Sequence, residues 1–196
     1  MTIEHSEKRE AILKATLDLL VERGFHDTPT SLIAKEASVA TGTLFHHFKN
    51  KEELINALYL ETKSKMVNAL KKDFTETGSI EEKLKKLWKG SVQWGIMHPK
   101  EYQFFQQFSN SPFITKLTRD EALSQFEFIQ DIIEEAVNSD SVKDIYPEFF
   151  MDFIEGTFIL GMNHFRKHPE KISEENMNMM FDICWNGIST SQGSGH

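Results

Sequence analysis

Cysteine, proline and long apolar runs are all scarce in this chain. A single cysteine, Cys184, among 196 residues excludes an internal disulfide. No stretch approaches the roughly 20 consecutive apolar residues of a membrane-spanning helix, and the charged start MTIEHSEKRE has no signal-peptide core. A soluble, cytoplasmic protein without membrane contact is therefore expected. Convincing strand alternation is missing too, and the few prolines and glycines stand mostly at the edges of helix-periodic segments, so the fold should be all-α. Enzymatic signatures are equally absent. There is no Gly-x-Ser-x-Gly, no Gly-x-x-x-x-Gly-Lys and no His-Glu-x-x-His, and no histidine has a glutamate three residues before it, as a di-iron bundle would require. His164 and His168 share a helix face at i, i+4, a spacing that can hold a metal. The second abuts Pro169, however, and the pair reads more simply as cationic partners of a helix C-terminus. No catalytic residue, metal or cofactor is expected.

Negative charge is plentiful, with one local exception. The formal net charge is -8, yet from Ser38 to Lys51 there is no carboxylate, while Lys49, Lys51, His46 and His47 are present. Residues 1–60 carry seven Lys or Arg against nine Asp or Glu, and the remainder fifteen against twenty-one. A small positive face on an acidic body suits site-specific rather than indiscriminate nucleic-acid binding.

The stretch around that face has the pattern of a helix-turn-helix. A first helix is expected from about Ser6 to Arg23, with Ile12, Ala15, Thr16, Leu19 and Leu20 inward and Gly24 as its C-terminal cap. Thr28-Pro29 suggests an N-cap followed by a proline at the first helical position, and Leu32, Ile33 and Ala37 supply that helix's apolar face. Ser38-Val39 breaks the pattern. From about Thr41 a further helix presents Leu44, Phe45 and Phe48 at core spacing and leaves Thr41, Thr43, His46 and His47 outside. Gly42 in its first turn disfavours helix by about 1 kcal/mol relative to Ala, which close backbone approach to a phosphate would explain. Lys51 opens the next helix, where backbone donors and a cation can hold one phosphate together.

At these residues, namely Ile33-Ala34, Gly42-Thr43-Leu44-Phe45-His46-His47-Phe48 and Lys49-Asn50-Lys51-Glu52-Glu53-Leu54, the chain resembles the TetR family of transcriptional regulators. The likeness covers roughly the first sixty residues. It implies that Thr30 and Ser31 from the second helix, Thr41, Gly42, Thr43, Phe45, His46 and His47 from the third, and Lys51 from the fourth face double-stranded DNA. Three positions depart from the family pattern. Phe45 stands where a tyrosine commonly bonds a phosphate, Ser38 replaces a turn glycine, and Ala40-Thr41 replaces Ser-Lys. Each lost contact should weaken binding by about 1 kcal/mol, with Thr41 or Ser38 as a substitute cap.

The rest of the chain reads as a larger helical domain, giving about nine helices in all: residues 1–50 for DNA, 51–190 for ligand and dimer, and the tail SQGSGH (191–196) as an expression scar. Expected helices include residues 50–74, 80–97, 112–138, 141–167 and 173–189. The last two are apolar on more than one face, so a four-helix bundle with a second chain is expected through Phe149, Phe153, Gly156, Leu160, Met177, Met180, Phe181 and Cys184, with Gly156 and Gly161 allowing close approach. The family resemblance implies a small-molecule inducer, for which Trp88, Trp94, His98, Phe104, Phe108, Phe126, Glu155 and His164 are the candidate lining; an ordinary aromatic core is the competing reading. Function is thus expected to be that of a homodimeric, inducer-released repressor on a palindromic operator. The alternative is a helical ligand-binding or interaction protein that keeps the helix-turn-helix shape without sequence-specific DNA binding.

Overall fold

A computed structural model describes residues 3–74 and 77–190 of the chain; the tail SQGSGH lies outside the described residues. Among these residues there are ten α-helices, one 3-10 turn and no strand: α1 (Ile3–Arg23), α2 (Thr30–Glu36), α3 (Thr41–His47), α4 (Lys51–Asp73), α5 (Ile80–Met97), α6 (Pro99–Phe108), α7 (Lys116–Ser124), α8 (Glu127–Val137), α9 (Pro147–Lys167), the turn Pro169–Lys171, and α10 (Glu174–Ile188). The chain divides into two compact units. One is Met1–Lys65 with His98–Ser124, and the other is Met66–Met97 with Gln125–His196. The contact boundary therefore falls inside α4 and the first unit is discontinuous, whereas the sequence reading placed its boundary at residue 50.

In the first unit α1 buries Ile12, Leu13, Ala15, Leu19 and Leu20 against Ile33 and Ala34 of α2, Leu44 of α3, and Leu54, Ile55 and Leu58 of α4. Gly24 closes α1 at φ +75, a left-handed geometry that suits glycine. The segment His98–Ser124 completes this core with Phe104, Phe108, Ile114 and Ala122. Two polar ties reinforce it. Arg9 donates to Glu61 at 2.6 Å and lies 5.6 Å from the Phe48 ring, joining α1 to α4 and to the residue that ends α3. Burial would push the Glu61 carboxyl up, but hydrogen bonds from Arg9 and Lys65 outweigh it and hold the group below the ordinary carboxylate range. Asn56 donates to the Phe113 carbonyl at 2.8 Å and accepts from the Thr115 amide at 3.0 Å, fixing the loop between α6 and α7 to α4.

The second unit is built around α5. Leu84, Leu87, Trp88, Ser91, Val92, Trp94 and Gly95 recur at helical spacing and are buried. Trp88 donates from Nε1 to Thr157 Oγ1 at 3.1 Å, and its ring meets Phe181 edge-on at 6.2 Å. Ion pairs flank this seam: Lys83 with Glu135 of α8 at 2.7 Å, Lys85 with Asp182 of α10 at 2.9 Å, and Lys89 with Glu174. Glycines make the α5–α9 crossing close. A Cβ on Gly161 would lie 3.0 Å from Trp88 Cζ2 and 3.2 Å from Val92 Cγ2.

Several boundaries differ from the sequence reading. The expected helix 112–138 is two helices, because α7 turns Thr118 and Ala122 into the first unit's core while α8 turns Ile132, Ile133 and Ala136 into the second's. No proline or glycine marks the break. The expected helix 141–167 starts only at Pro147, since residues 141–143 pair with the end of α10: Lys143 donates to the Ile188 carbonyl at 2.8 Å and Thr190 to the Ser141 carbonyl at 3.0 Å. Gly161 faces α5 rather than a second chain.

Replacing Gly161 with Ala should lower the unfolding midpoint at matched protein concentration. Overpacking against a fixed indole costs about 1 to 3 kcal/mol, and the helical advantage of alanine returns at most about 1 kcal/mol. Thermal denaturation followed by circular dichroism checks this, and an unchanged midpoint would mean that Trp88 yields.

Candidate nucleic-acid interface

A tight turn sets the angle between α2 and α3. Ala37 to Ala40 link them, and Ser38 adopts φ +56, a left-handed conformation that is unfavourable for L-residues by roughly 1 kcal/mol. This is the position at which the family pattern has glycine, so the departure read from the sequence carries a conformational penalty. Backbone bonds from Ser38 to the Lys35 carbonyl at 3.1 Å and from Val39 to the Ala34 carbonyl at 2.9 Å hold the turn.

Caps differ from expectation at two helix starts. Thr28 is fully buried and shares its one O–H between the carbonyls of Gly24 at 2.7 Å and Leu19 at 3.2 Å, so it ties the α1–α2 turn together, and Pro29 takes the N-cap position of α2 without a side-chain bond. Ala40 caps α3, also with no side-chain bond, so neither Thr41 nor Ser38 acts as the substitute cap. At α4 the cap is well made: Asn50 Oδ1 accepts from the Glu53 amide at 2.8 Å, and Glu53 Oε2 accepts from the Lys49 amide at 3.1 Å.

All nine residues assigned to DNA in the sequence lie at the surface of the first unit. Ser31, Thr41, Gly42, Phe45 and His46 are exposed, and Thr30, Thr43, His47 and Lys51 are half-buried. Inward, α3 is anchored by Leu44, with Phe48 buried just beyond its end. Phe45 was expected at core spacing but is 45 % exposed, because Leu44 and Phe48 already fill the inner face. The imidazoles of His46 and His47 meet edge-on at 5.8 Å. Gly42 is open: a Cβ built there meets nothing within 4 Å, so no packing inside the chain demands a glycine.

Lys51 does more than the sequence suggested. Its ammonium donates to the Phe25 carbonyl and lies 4.0 Å from the centre of the Phe25 ring, which stacks on Phe113 at 3.6 Å. Desolvation pushes its pKa below the ordinary lysine value, and the charge of Asp27 opposes that shift. Lys51 thus joins α4 to the α1–α2 turn while two of its three N–H donors stay available to another partner. Asn56, Phe113 and Arg9, which support this surface from behind, were not identified from the sequence; their contacts are 52 to 57 residues apart along the chain and leave no local signal.

The remaining candidates are dispersed. Phe104 and Phe108 stack at 5.0 Å in the first unit's core, whereas Trp88 and Trp94 are buried in the second unit. His98 precedes α6 with Nδ1 3.9 Å from Glu101, Phe126 precedes α8, and Glu155 and His164 are exposed on α9. The aromatic residues of each unit pack within that unit's own core. Of the residues assigned to a dimer, Phe149, Gly156 and Leu160 are exposed and Phe153, Met180 and Cys184 half-buried, while Met177 and Phe181 point inward and are buried. Among the described residues no helix is long and apolar enough to cross a membrane.

Residues 12–58 match the family model described as bacterial regulatory proteins, tetR family. The fatty acid metabolism regulator protein of Bacillus subtilis is 36 % identical over 73 residues, a match spanning 37 % of this chain and 38 % of that protein's length. The structure of FadR from Bacillus subtilis in complex with stearoyl-CoA has a TM-score of 0.74 at 22 % identity, covering 91 % of this chain and 98 % of that one, and so shares the fold. The crystal structure of a tetR family transcription regulator from Shewanella sp. PV-4 is 33 % identical with a TM-score of 0.85, covering 93 % of this chain and 98 % of that chain. With the helix-turn-helix matched locally and this last likeness running almost end to end, the chain belongs to the TetR family of transcriptional regulators.

Proposed function

We propose that this regulator binds a nearly palindromic operator as a homodimer, acts as a repressor, and is released by a small, mostly apolar inducer. Gly42 carries the DNA part of this reading. It is a glycine in the first turn of α3 that no contact inside the chain requires, on a surface without carboxylates from Ser38 to Lys51. Backbone approach to a phosphate accounts for it. In this arrangement Thr41, Thr43, His46 and His47 meet base edges in the major groove, Phe45 lies against a sugar or a thymine methyl, and Thr30, Ser31 and Lys51 hold phosphates.

Support for pairing comes from the outer face of α9 and α10, where Leu160 is 61 % and Ile183 66 % exposed, with Phe149 also exposed on α9. Gly156 on that face has no neighbour within 4 Å of an added Cβ, which leaves room for another helix. Two reading heads held about 34 to 36 Å apart would enter successive major grooves on one side of a duplex. For the inducer, the second unit offers an open groove of about 370 Å³ floored by Leu70, Phe74 and Leu87 and rimmed by Lys85, Lys86 and Lys89. The stearoyl-CoA held by the B. subtilis FadR supports an acyl compound as the class to try first. Release follows from linkage. A ligand that favours the DNA-incompetent spacing of the heads by about 1 to 3 kcal/mol lowers operator affinity between several-fold and a hundredfold.

A second reading, a helical binding protein without sequence-specific DNA contact, is favoured by Phe45, whose ring lacks a phosphate-bonding hydroxyl. Fluorescence anisotropy separates the two, using the duplex upstream of the protein's own coding sequence and a scrambled duplex across a salt series. The regulator reading predicts tight, salt-sensitive preference for the native duplex; equal weak binding to both would favour the second. Gly42→Ala is expected to keep or raise the unfolding midpoint yet weaken native-duplex binding at least tenfold, and unchanged affinity would remove the backbone-approach argument. Lys51→Ala should weaken binding to every duplex and reduce the slope of log K against log salt by about 0.9, as for one lost phosphate contact. Leu160→Glu should shift sedimentation toward the monomer with the helical spectrum retained; an unaltered sedimentation coefficient would place the dimer contact elsewhere.

A further inference from the structure

At one end of the second unit a cleft of about 330 Å³ gathers His164 and His168 from the end of α9 with Met179 and Met180 from α10, and Lys171 and Asn176 complete its lining. We propose that this cleft binds one soft monovalent metal ion, copper(I), through the two imidazoles and the two thioethers. His164 lies in the last turn of α9 and His168 at its C-cap, and their ring centroids are 4.9 Å apart. Two nitrogens each about 2.0 to 2.1 Å from one tetrahedral ion sit about 3.3 Å apart, which rings at this separation reach by side-chain rotation alone.

The ligand set selects the ion. Among the described residues no group of three or more His, Cys, Asp or Glu is placed to hold a metal, so the cleft lacks the donors of a zinc or calcium site. Thioethers are neutral and soft, and they favour copper(I) over hard dications. Charge points the same way. None of the four donors is anionic, and the Lys171 ammonium in the lining repels a dication twice as strongly as a monocation. The C-terminal end of α9 lies beside the imidazoles and favours positive charge there. Glu170 Oε1 lies 3.7 Å from His168 Nδ1.

The test is an anaerobic titration of the full chain, under reducing conditions, against the copper(I) complex of bicinchoninate. The expected result is withdrawal of one copper(I) per chain, with binding weakened at least tenfold by His164→Ala, by His168→Ala and by the paired Met179→Leu and Met180→Leu, all with unchanged helical circular dichroism. Leucine preserves the volume of the thioethers, so the paired variant isolates the sulfurs from the packing. Cys184→Ser is expected to bind as the parent does. If the chelator keeps its copper, if the histidine and methionine variants bind normally, or if Cys184→Ser abolishes binding, the site is not this cleft. Zinc measured against a chelator of known affinity should bind at least a hundredfold more weakly, and equal zinc affinity would overturn the soft-ion assignment.

Discussion

The buried indole of Trp88 decides how the second unit is built. It lies where α5 crosses α9, under a glycine that leaves it room, and its N–H must find an acceptor because an unpaired buried donor is unfavourable by about 1 to 3 kcal/mol. Thr157 supplies that acceptor, and Phe181 closes the other side. Once α9 and α10 are rotated to serve this centre, the residues opposite are fixed as well. Leu160, Ile183 and Met179 are left outward by the same geometry that turns Phe165, Met177 and Phe181 inward. The outer apolar face is thus a by-product of a well-filled interior combined with an excess of apolar residues on two helices.

A comparable division governs the first unit. Leu44 and Phe48 are enough to seat α3, which leaves Phe45 and His46 exposed and His47 half-buried. What stiffens the surface is mostly behind it: the reciprocal Asn50 and Glu53 bonds, the Arg9 bridge to Glu61, and the ammonium of Lys51 on the ring and carbonyl of Phe25. A contact surface made of short side chains on short helices gains its precision from such supports rather than from its own rigidity.

Much of this was legible in the sequence, and the boundary of legibility is physical. Signals that act over one or two turns were read correctly: the inward face of α1, the Gly24 cap and the two short helices, while the demand on the turn at Ser38 came from the family pattern. Signals that depend on distant partners were not. A threonine before a proline can cap a helix or tie a turn, and only the carbonyls of Leu19 and Gly24 decide between them. An aromatic stripe announces that it will be buried but not in which core, so Phe104 and Trp88 were grouped although they belong to different units. The break between α7 and α8 carries no proline or glycine because it is made by two cores pulling adjacent segments apart.

The discontinuous first unit has a consequence for biosynthesis. Its core needs Phe104, Phe108, Ile114 and Ala122, which emerge from the ribosome long after the helix-turn-helix itself. Until about residue 124 has been made, the nascent reading head exposes the apolar surface that this segment later covers, while of the other unit only the segment Met66–Met97 is already present as a competing hydrophobic partner. A fragment cut just after the helix-turn-helix would carry the same incomplete core permanently. Vectorial synthesis therefore delays completion of the DNA-reading unit until residues 98–124 have been made, although its helix-turn-helix is the first part to be translated.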